Sequence, residues 1–287
     1  MIVAAVHLLP YSLALQLYRV LNRIFKTMKP EYNTRTYFGA RMLCRTDDII
    51  QSRILHFGVW EPEISRIIEA ILSPGDVFVD IGANIGYDTL LGSWRVGPAG
   101  KVVAIEALPS TFALLQRNLA LNESASNVRA VQLAVSDRAG ALDLYNVEDH
   151  NIGATSTLAL RGTRHVGTAT AAALVDILHA EELSRVRLIK IDIEGSEPAV
   201  LRNILDNLDL FPATTDFLVE VSPRDDETGW RKIYNRLKYN GYRGYEVPNL
   251  YDLRWYLGHR KTAPLRACDT LPSHQQDILF TRGKPPT

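Results

Sequence analysis

The feature that most constrains this chain is a glycine-rich turn that directly follows a short apolar run. Residues 77–79 are Val-Phe-Val, and the sequence DIGANIG occupies 80–86. A helical segment over 83–94 and a second apolar run over 102–105 follow, and that run leads into Glu106. A strand, a tight turn, a helix and a second strand in this order form the unit from which doubly wound α/β sheets are built.

The rest of the chain continues this alternation of apolar strands and helical segments. Further strands are predicted at 128–134, 188–191, 217–221, 242–247 and 277–281, and further helices at 61–72, 110–121, 172–183, 198–205 and 230–239. Strands that are apolar almost throughout are typical of a parallel sheet covered on both faces. We therefore predict an α/β fold with a mostly parallel seven-stranded sheet and helices on both faces. Residues 146–170, rich in Asn, Gly, Thr and Ala, are predicted to form a long loop.

The N-terminal part differs from the rest, so we divide the chain into two parts. Residues 1–55 are predicted to form a helical extension with a small β-element, and residues 56–287 the α/β domain. Residues 2–20 are mostly apolar, but polar residues and a proline interrupt them, which disfavours a membrane-spanning helix. We favour an amphipathic helix that packs on the domain or on a second subunit. The alternative is contact with a membrane surface through residues 2–29.

Composition limits the partners and the compartment. Lys and Arg together number 32, as do Asp and Glu, so the formal net charge is zero. A sequence-nonspecific nucleic-acid binder carries a surplus of basic residues, and we therefore expect no nucleic-acid partner. The cysteines, Cys44 and Cys268, lie far apart and belong to no CxxC pair, which disfavours a disulfide framework or a zinc site. We expect a cytoplasmic enzyme with reduced thiols, with a peripheral membrane location as the alternative.

The charge at the end of the first strand indicates the kind of cofactor. Dinucleotide-binding turns hold a pyrophosphate, which the carboxylate of Asp80 would repel. The same carboxylate would attract an ammonium group, such as the amino-acid end of S-adenosylmethionine. Glu106 can accept hydrogen bonds from both ribose hydroxyls of a nucleoside, a feature shared with NAD enzymes. We favour a methyl donor. The alternatives are an NAD-type oxidoreductase and a non-catalytic nucleotide-binding scaffold at a membrane surface.

At this point several segments together resemble the FkbM-type methyltransferases. They are VFVDIGANIGYDTL at 77–90, VVAIEALPSTFALLQRNLALN at 102–122, AVSDRAG at 134–140, LIKIDIEGSEPAVL at 188–201 and FLVEV at 217–221. The similarity covers about residues 56–222. It implies a class I Rossmann-like fold and methylation of a hydroxyl group, often on a sugar or a natural product. One departure is Asp88, at a position where the family often has an aromatic residue.

The resemblance also implies which residues bind S-adenosylmethionine. Asp80, Gly82, Asn84 and Gly86, together with Ala83, would line the methionine end; Glu106 and its neighbour Ala107 would hold the ribose; Ser136 and Asp137 would lie near the adenine. Just upstream, Trp60 and Glu61 either close over the donor or form a packed aromatic and a helix-capping acid, and His56 lies in the same segment.

The catalytic groups are expected among the acidic residues that end two strands. Asp192 and Glu194 follow the strand at 188–191, and Glu220 lies at the end of the strand at 217–221. In a parallel sheet these three carboxylates would converge on one cleft. We favour Asp192 or Glu194 as the base that takes a hydroxyl proton from the acceptor. The alternatives are a divalent metal bound by Asp192, Glu194 and Glu220, and a structural or donor-binding role, with Glu197 capping the next helix.

Other polar and aromatic residues carry weaker expectations. His150 and His165 lie in the segment 146–170, where either a base or a solvated side chain is consistent with the pattern. Several aromatic residues near the C-terminus would form either a sugar-stacking wall or packing at the sheet end; they are Tyr242, Tyr245, Tyr251 and Trp255. The acceptor is a small molecule with a hydroxyl group, and no motif identifies it further.

Overall fold

The fold is described from a computed structural model of the 287-residue chain. It describes residues 9–28, 31–146, 155–156, 163–224, 226–249, 253–257 and 264–286.

The secondary structure alternates between strands and helices from residue 31 onwards. The helices are α1 (Tyr11–Met28), α2 (Ile49–Phe57), α3 (Pro62–Ile71), α4 (Tyr87–Val96), α5 (Pro109–Ala120), α6 (Leu174–Ile177), α7 (Ala180–Leu183), α8 (Glu197–Asp206), α9 (Glu227–Tyr239) and α10 (Leu253–Tyr256). The strands are β1 (Glu31–Arg35), β2 (Arg41–Arg45), β3 (Val77–Ile81), β4 (Lys101–Ile105), β5 (Val128–Val131), β6 (Ala134–Ser136), β7 (Gly140–Asn146), β8 (Thr155–Ser156), β9 (Arg164–Ala173), β10 (Val186–Ile191), β11 (Asp216–Val221), β12 (Arg243–Glu246), β13 (Arg266–Cys268) and β14 (Gln276–Thr281).

A single large sheet organises the α/β domain. Its strand order is β13-β12-β14-β11-β10-β3-β4-β5. The five strands from β11 to β5 are parallel to one another, whereas β14, β12 and β13 pair antiparallel at the other end. The predicted α/β class with a mostly parallel sheet and flanking helices is confirmed. The sheet has eight strands instead of seven because the short β13, outside every apolar run that we identified, pairs with the edge of β12.

Both faces of the sheet are buried, which explains why its strands are apolar throughout. Successive residues of a strand point to opposite faces. Val77 and Val79 of β3 therefore join a core with α8 and α9, whereas Phe78 between them joins a core with α3 and α4.

A second, four-stranded sheet has the order β6-β9-β7-β8. Its strand β9 occupies residues 164–173, part of the segment 146–170 that we predicted to be a loop. That prediction is wrong for this part of the segment. The strand is rich in Thr and Ala, so its own hydrophobicity is low. It is stabilised instead by antiparallel pairing with β7 and parallel pairing with β6.

The N-terminal part packs against the α/β domain. Helix α1 buries Ala14 and Tyr18 against aromatic residues that include Phe57 and Tyr256, and β2 buries Met42 and Cys44 beside α2 and α4. Among the described residues, none of the helices combines the length and hydrophobicity that crossing a bilayer requires. Residues 2–8 lie outside the described part of the chain, and contact of residues 2–29 with a second subunit or a membrane surface stays a prediction.

Candidate active site

A cavity of about 420 Å³ lies beyond the carboxyl ends of the parallel strands. Ile81 of β3, Ile105 of β4, Lys190 of β10 and Glu220 of β11 all contribute to its wall. This is the edge at which open α/β sheets bind their ligands. The volume is in the range of small-molecule binding sites, which is roughly 300–1,000 Å³.

The glycine-rich turn forms one wall of the cavity and is fixed between two strand ends. The N–H groups of Gly82 and Ala83 both donate to the carbonyl oxygen of Ile105, each at 3.0 Å. Gly82 has a φ of +84°, and a Cβ atom there would lie 1.8 Å from the carbonyl oxygen of Asp192. Gly86, with a φ of +92°, precedes α4, and a Cβ there would lie 2.5 Å from the side chain of Leu115. Gly82 is therefore required by its φ and by a close backbone contact, whereas at Gly86 the positive φ is the main reason for glycine.

Glu106 lies at the end of β4, opposite this turn, and lines the cavity. Its Oε2 accepts from the N–H of Asn84 at 3.0 Å, and its Oε1 accepts from the N–H of Leu108 at 2.9 Å. Burial raises the pKa of Glu106 to about 7, although the backbone hydrogen bonds oppose this shift. Each carboxylate oxygen can accept a further hydrogen bond, so Glu106 is oriented and still able to bind hydroxyl groups in the cavity.

Asp80 lies behind the turn and is fully buried. Its Oδ2 accepts from the hydroxyl of Thr89 at 2.6 Å, and its Oδ1 has no hydrogen-bond partner among the described residues. Burial raises the pKa of Asp80, and the nearby Lys190 opposes the shift. The carboxylate is thus not at the cavity surface, where we had expected it to contact an ammonium group.

Two charged residues that the sequence reasoning missed lie at the floor of the cavity. Lys190 is 5% exposed, and its Nζ lies 2.8 Å from Oδ2 of Asp192 and 3.4 Å from Oδ2 of Asp88. Burial lowers the pKa of Lys190, but the surrounding acids outweigh it and the net pKa is raised well above the usual value. Lysine in the middle of an apolar strand was the available signal, because a buried charge needs a partner.

Asp88 contributes to the cavity lining from the first turn of α4. It is 7% exposed and lines the cavity, and its Oδ1 has no hydrogen-bond partner in the described part of the chain. Burial raises the pKa of Asp88 to about 7, with Lys190 opposing the shift. An unpartnered, buried carboxylate oxygen is costly, so a donor from a bound ligand would stabilise this arrangement.

The structure brings together the three carboxylates that we proposed for catalysis. Oxygen atoms of Asp192, Glu194 and Glu220 all lie within 4.8 Å of one another. Strand β10 ends at Ile191, and Glu194 has a φ of +55°, so a turn brings it to the cluster, not strand alternation. Such a cluster can act as a proton acceptor or bind a divalent cation.

The environments of these carboxylates differ. Asp192 is paired with Lys190, whereas Oε1 of Glu220 accepts from the neutral amide of Gln275 at 2.6 Å. Burial, and then the charges of Asp192 and Glu194, raise the pKa of Glu220 well above its usual value. Glu220 therefore binds a proton more readily than an ordinary glutamate.

Glu197 supports the turn that carries Glu194. Its carboxylate accepts from the N–H groups of Ile193 at 3.0 Å and Gly195 at 2.9 Å. These donors precede α8, so the predicted capping role is replaced by a role in fixing the turn before the helix. Burial raises the pKa of Glu197 to about 7, against the effect of these backbone hydrogen bonds.

The segment upstream of α3 also contributes to the wall. Trp60 and Glu61 both line the cavity. Glu61 has a φ of +42° and makes no side-chain hydrogen bond that caps α3; its Oε1 accepts from the amide of Asn249 at 2.9 Å. His56 instead is buried outside the cavity, where its Nε2 contacts Oδ1 of Asn22 at 3.0 Å. Burial and the charge of Arg53 lower the pKa of His56 to about 4.

The end of the cavity next to Glu106 is apolar. Ala107 lines it together with residues 133–135 and Leu144. Ser136 and Asp137, which we predicted near an adenine ring, follow directly after this lining stretch. Neither residue belongs to the cavity lining, and Oδ2 of Asp137 lies 3.6 Å from a guanidinium nitrogen of Arg202.

The remaining candidates lie away from the cavity or outside the described residues. His165 hydrogen bonds with Asp143 at 3.2 Å on an exposed surface. Tyr242 is buried against Phe217, and Tyr245 and Trp255 belong to core clusters. His150 and Tyr251 lie outside the described part of the chain.

Comparison with known proteins identifies related sequences. A family model described as the methyltransferase FkbM domain matches residues 80–244. Methyltransferase sdnD from Sordaria araneosa is 32% identical over 200 residues, which cover 55% of this chain and 76% of the relative. The 31-O-demethyl-FK506 methyltransferase FkbM from Streptomyces tacrolimicus is 29% identical over 163 residues, which cover 47% of this chain and 62% of the relative.

Solved structures show more distant similarity. Methyltransferase FkbM from Methylobacillus flagellatus aligns with a TM-score of 0.42 and 15% identity, covering 79% of this chain and 52% of that protein. TYW2 from M. jannaschii, solved in complex with AdoMet, aligns with a TM-score of 0.46 and 15% identity, covering 88% of this chain and 85% of that protein.

Proposed function

This chain belongs to the FkbM family of S-adenosylmethionine-dependent methyltransferases, and we propose that it methylates a hydroxyl group of a sugar or natural product. The family match favours this function over the two alternatives from the sequence, an NAD-type oxidoreductase and a non-catalytic nucleotide-binding scaffold. The observation that carries the proposal is the convergence of Asp192, Glu194 and Glu220 on the cavity. A hydroxyl group is a poor nucleophile, so its methylation benefits from a nearby proton acceptor.

The residues of the cavity fit S-adenosylmethionine. Gly82 lines the cavity without a side chain, Glu106 retains acceptor capacity for ribose hydroxyls, and the stretch 133–135 with Ala107 offers apolar surface for an adenine. When bound, the donor supplies an electrophilic methyl group on a sulfonium. We propose that Gly82, Ala83, Asn84 and Gly86 form its cradle.

The ammonium group of the donor requires an acceptor at the cavity surface. We propose Asp88 and Glu61 for this role, because both line the cavity and Asp88 has an unpartnered buried oxygen. Asp80 then acts indirectly. Its charge contributes to keeping Lys190 protonated, and its bond to Thr89 fixes the start of α4.

For the proton transfer we propose that Glu220 takes the hydroxyl proton and that Asp192 and Glu194 position the acceptor. Asp192 is held by Lys190 at 2.8 Å, so one of its carboxylate oxygens already has a cationic partner. Among the described residues, the side chain of Glu220 accepts a hydrogen bond from the neutral amide of Gln275. Alignment of the hydroxyl with the methyl group supplies the remaining acceleration.

The function is tested by incubating the protein with S-adenosylmethionine labelled in the methyl group and an extract of the source organism. We expect one labelled product with the methyl group on oxygen. A labelled product with the methyl group on nitrogen, carbon or sulfur would contradict the proposal. Glu220→Gln should lower kcat by about 10²–10⁴-fold and leave the affinity for S-adenosylhomocysteine unchanged.

The same assay separates a base from a bound metal. If a side-chain base activates the hydroxyl, EDTA should leave the labelling rate unchanged. A rate that falls with EDTA and returns with added Mg²⁺ would instead assign Asp192, Glu194 and Glu220 as metal ligands.

A further inference from the structure

The cavity contains two cationic side chains, Lys190 and Arg53, within an otherwise acidic set of charged groups. Lys190 is paired with Asp192 and Asp88. Arg53 lies in the wall of the cavity, and no carboxylate in the described part of the chain is within 4.0 Å of its guanidinium. Its only described hydrogen bond goes to a neutral group, the hydroxyl of Tyr18, at 2.7 Å.

Two tyrosine rings hold this guanidinium in place. Its carbon lies 5.4 Å from the ring centre of Tyr18 in α1 and 5.3 Å from that of Tyr256 in α10. Cation–π contacts of this kind orient an arginine without neutralising its charge. Apart from the hydrogen bond to Tyr18, the N–H groups of Arg53 have no partner among the described residues. A planar guanidinium can donate two parallel hydrogen bonds to the paired oxygens of a carboxylate or phosphate.

The position of Arg53 indicates whether it faces the methyl donor or the methyl acceptor. The glycine-rich turn, Asp88 and Glu106, which we assign to the donor, belong to the unit β3–α4–β4 or directly follow it. Arg53 belongs to α2 and is supported by α1 and α10, which lie outside that unit. Ile49, one turn before Arg53 on α2, also lines the cavity and is 51% exposed, so this side is open to solvent.

We propose that Arg53 binds a carboxylate or phosphate group of the methyl acceptor, so that the acceptor is an anionic molecule. The inference rests on the proposed function, because it names the class of acceptor for the same site. Tyr18 and Tyr256 are positioning residues for Arg53, and helix α1 thereby becomes part of the acceptor site.

The direct test is a calorimetric titration of inorganic phosphate into protein saturated with S-adenosylhomocysteine. We expect Arg53→Met to weaken phosphate binding by at least about tenfold, the size of one lost charge-assisted hydrogen bond. Arg53→Lys should weaken it less, because the charge remains. Tyr18→Phe keeps the ring and removes the hydroxyl, and should have a smaller effect than Arg53→Met. Arg231→Met, on the exposed surface of α9, is the matched control and should bind phosphate like the wild type.

Two results would overturn the inference, one from this phosphate titration and one from separate titrations of the two nucleosides. One is equal phosphate binding by the wild type and Arg53→Met. The other is a loss of S-adenosylhomocysteine affinity in Arg53→Met with unchanged affinity for 5′-methylthioadenosine, which lacks the amino-acid end. That pattern would assign the anion to the carboxylate of the donor.

The labelling assay gives an independent check on the product. We expect the labelled product to be retained on an anion-exchange resin at neutral pH, and a labelled product that passes through unretained would refute an anionic acceptor. The absence of any labelled product would count against the proposed function, while the phosphate titration would still decide the role of Arg53.

Discussion

Replacing Gly82 with alanine tests two reasons why the turn requires glycine. One is the positive φ of Gly82, and the other is its close contact with the backbone of Asp192. A left-handed φ costs an L-residue roughly 1–2 kcal/mol. In addition, the new Cβ would lie 1.8 Å from the carbonyl oxygen of Asp192, whereas ordinary contacts begin at 3.4 Å. The two segments must therefore separate by more than an ångström, which strains the hydrogen bonds from Gly82 and Ala83 to Ile105.

The chain offers a matched control for this variant. Gly241 has the same φ of +84°, but a Cβ atom there would meet nothing within 4 Å. Gly241→Ala should therefore lower the unfolding free energy by only ~1–2 kcal/mol. Gly82→Ala adds overpacking against a backbone atom, typically ~1–3 kcal/mol, for a total of about 2–5 kcal/mol.

Differential scanning calorimetry and ligand titration measure the two consequences. At roughly 2–4 °C per kcal/mol for a domain of this size, Gly82→Ala should lower the Tm clearly more than Gly241→Ala. If the turn cradles the donor as we propose, Gly82→Ala should weaken S-adenosylhomocysteine binding by more than about tenfold, whereas Gly241→Ala should not change it. Equal Tm shifts in the two variants, with donor affinity retained in both, would refute the steric argument.

Further predictions concern the charged groups of the cavity. Lys190→Met leaves the buried Asp88 and the half-buried Asp192 without their cation and should lower the unfolding free energy in urea by ~3–5 kcal/mol; a loss below 1 kcal/mol would show that the ion pairs contribute little. Asp88→Asn should weaken binding of S-adenosylhomocysteine about tenfold but not that of 5′-methylthioadenosine, as titration of both ligands would show. Burial raises the pKa of Glu106 from 4.5 to about 7, so the folded state binds more protons than the unfolded state between these values, and stability should fall as the pH rises through this window. Glu106→Gln should make this decline shallower by up to ~1.4 kcal/mol per pH unit, and an unchanged slope between pH 5 and pH 7 would contradict the assignment.

The sequence predicted those parts of the fold and site that depend on local pattern. The unit around Gly82 and the strands on either side of it could be predicted because apolar runs and glycine positions are local signals. The convergence of Asp192 and Glu220 could be predicted because the carboxyl ends of parallel strands share one edge. The pairing of Lys190 with Asp88 could not, since it joins β10 to α4 across the sheet. The burial of Asp80 could not be predicted from the sequence either, because a residue at a strand end can lie at the cavity surface or one layer behind it.

Strand β9 shows that secondary structure, too, can depend on contacts that a local sequence pattern does not predict. Residues 168–171 do alternate as Thr-Ala-Thr-Ala, with both alanines buried, but alanine gives only a weak hydrophobic signal. Pairing with β7 and β6 stabilises the strand. Likewise, the sequence pattern does not single out Arg53. Its contacts with Tyr18 and Tyr256 come from α1 and α10, which are distant from it along the chain.

The position of β14 has a consequence for the order in which this protein is assembled during synthesis. This strand, at residues 276–281, lies between β11 and β12, although both of those precede it in the chain. A nascent chain therefore leaves the ribosome with β11 and β12 unjoined, and their edges can pair with other chains until β14 arrives. Gln275, which orients Glu220, emerges with it. The glycine-rich turn can thus form early in translation, whereas Glu220 gains its hydrogen bond from Gln275 only when β14 is inserted.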